Sequence, residues 1–241
     1  MMLNDHDTIL DKLAIGEISV VGQLTWSSNY TFLARVKGPG WELPAIYKPS
    51  EGESPLWDFP QGSLACRELA AYLVSESLGW ELVPPTILRD SGPAGPGSLQ
   101  FFIDADPDRH YFTFSKTEKQ SLRPAAIFDI LINNADRKGG HVLLSDEDHI
   151  WLIDHGVCFH EEYKLRTVIW DFIGEEIPGS ILTQLDGFRE RLLTDVDLQK
   201  GLSELLSAQE HAALADRVDW LLQSRCFPPP GTDRPYPWPV I

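Results

Sequence analysis

The chain has 241 residues, 43% hydrophobic and 23% charged, with 20 Lys+Arg against 36 Asp+Glu and a formal charge of −16. At roughly 150 residues per domain, this is one large domain or two small lobes, and the apolar fraction is ample for a core. So acidic a balance argues against non-specific nucleic-acid binding and a polybasic membrane anchor, both of which need clustered Lys and Arg.

Cys66, Cys158 and Cys226 lie far apart and are odd in number, so they make neither a disulfide framework nor a CxxC zinc pair. The acidic start lacks the basic-then-apolar pattern of a signal peptide, and no stretch approaches the roughly 18 apolar residues of a membrane span. A cytoplasmic protein with no nucleic-acid partner is the expectation.

In chain order, residues 5–14 suit one short helix. Residues 18–21 and 31–36 are rich in β-branched and apolar types and read as strands, with a polar turn at Trp26-Ser27-Ser28-Asn29 between them. Lys37-Gly38-Pro39-Gly40 makes the next turn and residues 43–48 a third strand, most simply in an antiparallel meander. After a Pro- and Gly-rich loop, Ser63 opens a helix to about Leu78, stopped by Gly79, with Leu64, Ala65, Leu69, Tyr72 and Leu73 on one face. Residues 83–88 form an extended edge, residues 99–103 a short strand, and residues 104–108 a linker.

The second part is mostly helical. A helix begins at Ser121 with an apolar run over 125–132, and a short β pair lies near 141–153. Amphipathic helices then fill 178–225, with a capping box at Ser207 and Glu210. The tail from Pro228 is too rich in proline to be helical. The fold class is therefore α+β, a β-rich N-lobe over 1–103 with one main helix, a hinge near 100–104, and a helical C-lobe over 104–241. The cleft between such lobes is a common ligand site.

Two stretches carry the chemistry. Asn133-Asn134-Ala135-Asp136-Arg137-Lys138-Gly139-Gly140-His141 and Ile153-Asp154-His155-Gly156 are both polar turns beside short apolar runs. The spacing from Asp136 to His141 matches the kinase catalytic loop D-x-x-x-x-N, where Asp is the base and Asn a metal ligand. Lys138 stands where a cation neutralises a transferred phosphoryl group, and Asp154 stands where D-F-G places its metal-binding Asp. An Asp beside two glycines is also an ordinary turn residue, and it is the joint spacing that favours function. His141, Asp154, His155 and His160 are alternatively a metal cluster. Trp57, Trp151, Trp170 and Trp220 read as core or lobe-interface residues, and Cys158 as a buried small one.

These motifs resemble the phosphatidylinositol 3-/4-kinase-like branch of the protein-kinase fold, which includes HipA-like bacterial kinases. Asp136-Arg137 resembles the start of its D-R-H-x-x-N loop, and the resemblance spans roughly residues 15–160. It implies a two-lobed kinase-like fold that uses ATP and Mg²⁺ or Mn²⁺. It also implies a phosphate loop at Ser27, Ser28 and Asn29, a phosphate-gripping Lys48 and its acidic partner Glu68. Gln100 then lies at the hinge that reads adenine. Catalysis falls to Asp136 and Lys138, and metal binding to Asp154 and His141. More narrowly, Pro55-Leu56-Trp57-Asp58-Phe59-Pro60 and the stretch 135–141 resemble a bacterial family of this branch without an assigned substrate.

Two residues depart from the pattern: His141 replaces Asn, and His155 replaces the Phe of D-F-G. The segment after Gly156 is short, which disfavours docking of a large protein substrate. The expected activity is ATP- and metal-dependent transfer of the γ-phosphoryl group to a hydroxyl acceptor, a small molecule or a protein. A nucleotide-binding pseudokinase, an AMP-transferring enzyme and a metallohydrolase are the alternatives.

Overall fold

Short β-branched and apolar runs separated by glycine- and proline-bearing turns build one five-stranded sheet within the first 101 residues. The computed structural model describes residues 4–24, 29–145 and 148–241. Helix α1 (Asn4–Ile15) precedes strands β1 (Glu17–Gln23), β2 (Phe32–Gly38) and β3 (Trp41–Pro49), which pair antiparallel in sequence order. Helix α2 (Leu64–Leu78) follows, then β4 (Thr86–Arg89) and β5 (Gly97–Phe101). The sheet order is β1-β2-β3-β5-β4, so β4 is an edge, as residues 83–88 suggested. The meander, helix and edge were all legible. The N-terminal half carries two helices, α1 as well as α2.

Gly97 permits the β3–β5 pairing. A Cβ there would stand 2.2 Å from the Lys48 carbonyl oxygen, so any side chain would force apart the strand that carries Lys48.

The second half contains α3 (Lys116–Gln120), α4 (Arg123–Leu131), the hairpin β6 (Val142–Leu144) with β7 (Ile150–Leu152), and α5 (Gly179–Thr194), α6 (Val196–Leu205) and α7 (Ala208–Ser224). Ser207 caps α7 through a reciprocal box with Glu210, as its spacing indicated. Ser121, expected to open a helix, instead ends α3, which begins at an equivalent box formed by Ser115 and Glu118. The apolar helix starts two residues later at Arg123, with Pro124 in its first turn, where a missing N–H costs nothing. Ser63 precedes α2 but does not cap it, because its hydroxyl donates to Pro60 O at 2.6 Å. Glu53 serves that end instead, accepting Ala65 N–H at 3.1 Å.

Two apolar clusters divide the molecule. In the smaller, Ile9 and Leu13 of α1 pack on Ala34, Val36, Ala45, Tyr47 and Leu99 of the sheet. In the larger, Ala70, Ala71, Val74 and Leu78 of α2 join the buried faces of α4 to α7. Helix α2 thus lies within the first 103 residues yet shares its core with the helical half, which couples its position to both. Trp57 and Trp220 are exposed, 92% and 45%, against the expectation that they line the core, whereas Trp151 is buried. Cys158 is fully buried, as expected.

Candidate active site

Three segments meet between the sheet and the helices. Strand β3 carries Lys48 as its last residue but one, α2 presents Glu68 one turn in, and the loop after β7 presents Asp154. Lys48 Nζ donates to Glu68 Oε1 and, at 2.9 Å, to Asp154 Oδ1. Glu68 is nearly buried, at 4% side-chain exposure, so it is not the solvent-facing charge that a lone helix Glu usually is. Asp154 has a positive φ of 62°, and the left-handed turn aims its carboxylate at Lys48. His141 Nε2 stands 3.4 Å from Asp154 Oδ2, and Lys138 Nζ stands 3.0 Å from Asp136 Oδ2.

The electrostatics follow from partial burial and dense charge. Burial alone would raise the Asp154 pKa, but the Lys48 ammonium outweighs it and holds the carboxyl well below its ordinary range. Burial likewise opposes the charged Lys48, yet Asp154 and Glu68 outweigh it and raise that pKa. His141 is pushed down to about 4 by burial, so its ring is neutral near pH 7. Asp136 is shifted up by burial, against the pull of Lys138, which makes it a stronger base than a free carboxylate.

Beneath these groups lies a buried network that motif spacing did not flag. Arg137 is fully buried and donates from Nε to both Asp129 oxygens, at 2.9 and 3.2 Å. Thr167 and Asn134 complete the shell of Asp129 at 2.9 and 3.2 Å. Arg137 also donates to Ile153 O at 2.7 Å, tying the Asp136 loop to the Asp154 loop. Its Nη2 meets His155 Nε2 at 2.8 Å. Arginine only donates, so this His155 nitrogen is the acceptor and the proton sits on Nδ1, 3.8 Å from Glu68 Oε2. The available signal was a lone Asp inside the apolar run of α4.

The other expected site residues fare unevenly. Ser27 and Ser28 lie outside the described residues. Asn29 accepts Ser54 N–H at 2.7 Å, anchoring the β1–β2 connection to the loop after β3. The Gln100 amide is buried and donates to Thr86 across the β4–β5 pair at 2.9 Å, a structural role for the side chain near the expected hinge. His141, Asp154, His155 and His160 do not cluster. His160 packs edge-on against Phe59, and among the described residues no group of three metal-ligating side chains converges.

Similarity to known proteins identifies the family and the fold. Residues 67–184 match the family model "Phosphatidylinositol 3- and 4-kinase". Across the whole chain, protein Rv2133c of Mycobacterium tuberculosis is 41% identical over 276 aligned residues, covering 100% of this chain and 98% of that one. The chain belongs to the Rv2133c family, within the phosphatidylinositol 3-/4-kinase-like branch of the protein-kinase fold. A rice (Oryza sativa subsp. japonica) protein, phosphatidylinositol 4-kinase gamma 4, is 35% identical over 130 residues, covering 45% of this chain but only 22% of its own length. Among solved structures, the Golgi casein kinase with Mn/ADP bound superposes with a TM-score of 0.61 at 18% identity, covering 100% of this chain and 81% of that one. The Helicobacter pylori kinase CtkA superposes with a TM-score of 0.54 at 12% identity, covering 89% and 94%. The two-lobed kinase-like fold is thus the fold of this family member. No helix among the described residues is long and apolar enough to cross a membrane.

Proposed function

We propose that this protein transfers the γ-phosphoryl group of ATP to a hydroxyl acceptor, with a divalent cation. The observation that carries the reading is Lys48 held between Glu68 and Asp154, because a strand lysine fixed by a helix glutamate is the phosphate grip of a kinase. The donor set fits a divalent cation: Asp154 offers a hard carboxylate whose side chain is 45% exposed, beside a neutral His141. Carboxylate suits Mg²⁺, and the imidazole shifts the preference toward Mn²⁺. Bound there, the cation would offset charge on the nucleotide phosphates.

The chain's own groups do the rest. Lys48 grips phosphate oxygens. Asp136, basic through burial, orients the acceptor hydroxyl and takes its proton. Lys138, beside it, offsets negative charge that develops on the moving phosphoryl group. Positioning and electrostatics supply most of the acceleration in such transfers.

The test is thermal unfolding with and without ATP, in Mg²⁺ and separately in Mn²⁺, for wild type and Asp154→Ala. Ligand at a hundred times its dissociation constant stabilises by about 2.7 kcal/mol, a shift of roughly 5–11 °C at this size. A metal-dependent shift that disappears in Asp154→Ala supports the reading. No shift at millimolar ATP in either metal rejects it.

A further inference from the structure

On the outer flank of the Asp136 loop lies a cavity of about 360 Å³ walled by Tyr111, Phe112, Val168, Trp170, Asp171 and Tyr236. Its walls come from three distant stretches, each tied by backbone to that loop or its neighbour. Tyr111 N–H donates to Gly139 O at 3.3 Å, and Val168 N–H donates to Arg137 O at 3.2 Å. The Phe112 ring occupies the space beside Gly139, where a Cβ would stand 2.6 Å from it. The C-terminal tail closes the third side. Val240 O accepts Gly139 N–H at 2.7 Å, and Pro235 O accepts Thr167 N–H at 3.1 Å and Trp170 Nε1–H at 3.3 Å. Wall residues of the cavity are therefore hydrogen-bonded to the backbone one and three positions beyond Asp136.

Its chemistry is selective. Four aromatic rings and one carboxylate line it, and no Lys, Arg or His is among the lining residues. An anionic headgroup meets one cation at these walls, Lys119, and that one is already paired with Asp171. Aromatic faces beside a carboxylate attract an ammonium instead. The same corner already holds one: Lys119 Nζ lies 4.0 Å from the Tyr111 ring centroid and 3.9 Å from Asp171 Oδ1. The Tyr111 hydroxyl donates to Asp171 Oδ2 at 2.7 Å and fixes the carboxylate at the cavity wall. The chain's charge of −16 also favours cationic ligands at long range.

We propose that this cavity is the acceptor site, and that the acceptor is a small hydroxyl-bearing amine, an amino alcohol or amino sugar, with its ammonium held among the rings and Asp171. The assignment of the cavity as an acceptor site rests on the phosphotransfer reading above. In the transfer, the acceptor hydroxyl oxygen bonds to the γ-phosphorus of ATP and the bond to the β–γ bridging oxygen breaks. ADP leaves, and the hydroxyl proton passes to Asp136.

The probes are glucosamine, its neutral counterpart glucose and the anionic glucosamine 6-phosphate, followed by saturation-transfer NMR on the full chain. Asp171→Asn keeps the shape and an acceptor for Tyr111, and Phe112→Ala removes a ring that is 45% exposed. The expected result is at least tenfold tighter binding of glucosamine than of either counterpart. The preference over glucose is lost in Asp171→Asn, binding falls at least fivefold in Phe112→Ala, and glucosamine accelerates conversion of ATP to ADP in wild type. Equal binding of glucosamine and glucose, or a preference that survives both substitutions, overturns the proposal. Stabilisation by ATP is read in parallel. If ATP stabilises wild type while the amine preference is absent, this proposal alone fails. If ATP does not stabilise wild type, the phosphotransfer reading fails and the acceptor role fails with it, even where an amine binds.

Discussion

Glu68 Oε2 accepts the backbone N–H of His155 at 2.9 Å, while its Oε1 holds the Lys48 ammonium. One carboxylate on α2 therefore sets both Lys48, the proposed phosphate grip, and the backbone next to Asp154. Because α2 shares its core with the helical half, this contact ties the position of Lys48 to the packing of the C-terminal helices.

Glu68→Ala breaks both links. Breaking a buried ion pair costs about 3–5 kcal/mol, and we expect the lower end because Lys48 retains Asp154 and some solvent. Urea unfolding measures the loss. The ATP-induced thermal shift should fall by at least half in the same variant, and an undiminished shift would detach Glu68 from the nucleotide site.

Arg137→Ala strands Asp129 as a buried charge, at an expected cost of about 3–5 kcal/mol. Arg137→Lys should recover little of it, since one ammonium cannot serve Asp129, Ile153 O and His155 together. Equal stability of the Lys variant and wild type would show that the network needs only the charge.

The Arg67–Glu210 pair joins α2 to α7 in a nearly buried setting. Burial raises the Glu210 pKa, but the Ser207 N–H and Arg67 outweigh it and leave the pKa below its ordinary value of 4.5. The unfolded chain therefore takes up this proton first as pH falls. The pair's stabilisation is full above about pH 5 and is lost as pH drops through the folded-state value. Glu210→Gln should be less stable than wild type at pH 7, with the gap closing below about pH 4. A gap constant from pH 7 to pH 3 would contradict the assignment.

Gly97→Ala places a methyl against the Lys48 carbonyl. We expect about 2–3 kcal/mol of destabilisation from overpacking and weaker ATP stabilisation, because the strand carrying Lys48 must move. Gly187→Ala on α5 is the control, since a Cβ there meets nothing within 4 Å.

Much of the local structure was readable because its causes are local. β-branched runs between glycine turns gave the meander, and Ser207 with Glu210 marked the start of α7. The box at Ser115 and Glu118 has the same spacing, yet α3 escaped notice because only five residues follow it and no apolar stripe accompanies them. Gln100 stands near the expected hinge by its place in the chain. Its partner Thr86 is on a neighbouring strand, and nothing near residue 100 announces that pairing.

The sequence by itself determined the residue types and spacings of the site: Asp136 five positions before His141, Asp154 at the end of an apolar strand, and Lys48 before a helix bearing Glu68. Only the tertiary structure decided that Lys48 and Asp154, 106 positions apart, touch, and that Asp129 underpins both loops. It alone placed Trp57 in solvent and brought the C-terminal tail beside Gly139. The physical reason is range. Capping, turns and strand alternation depend on neighbours a few residues away. Burial, the pairing of buried charges and the walls of a cavity depend on which distant segments exclude water together.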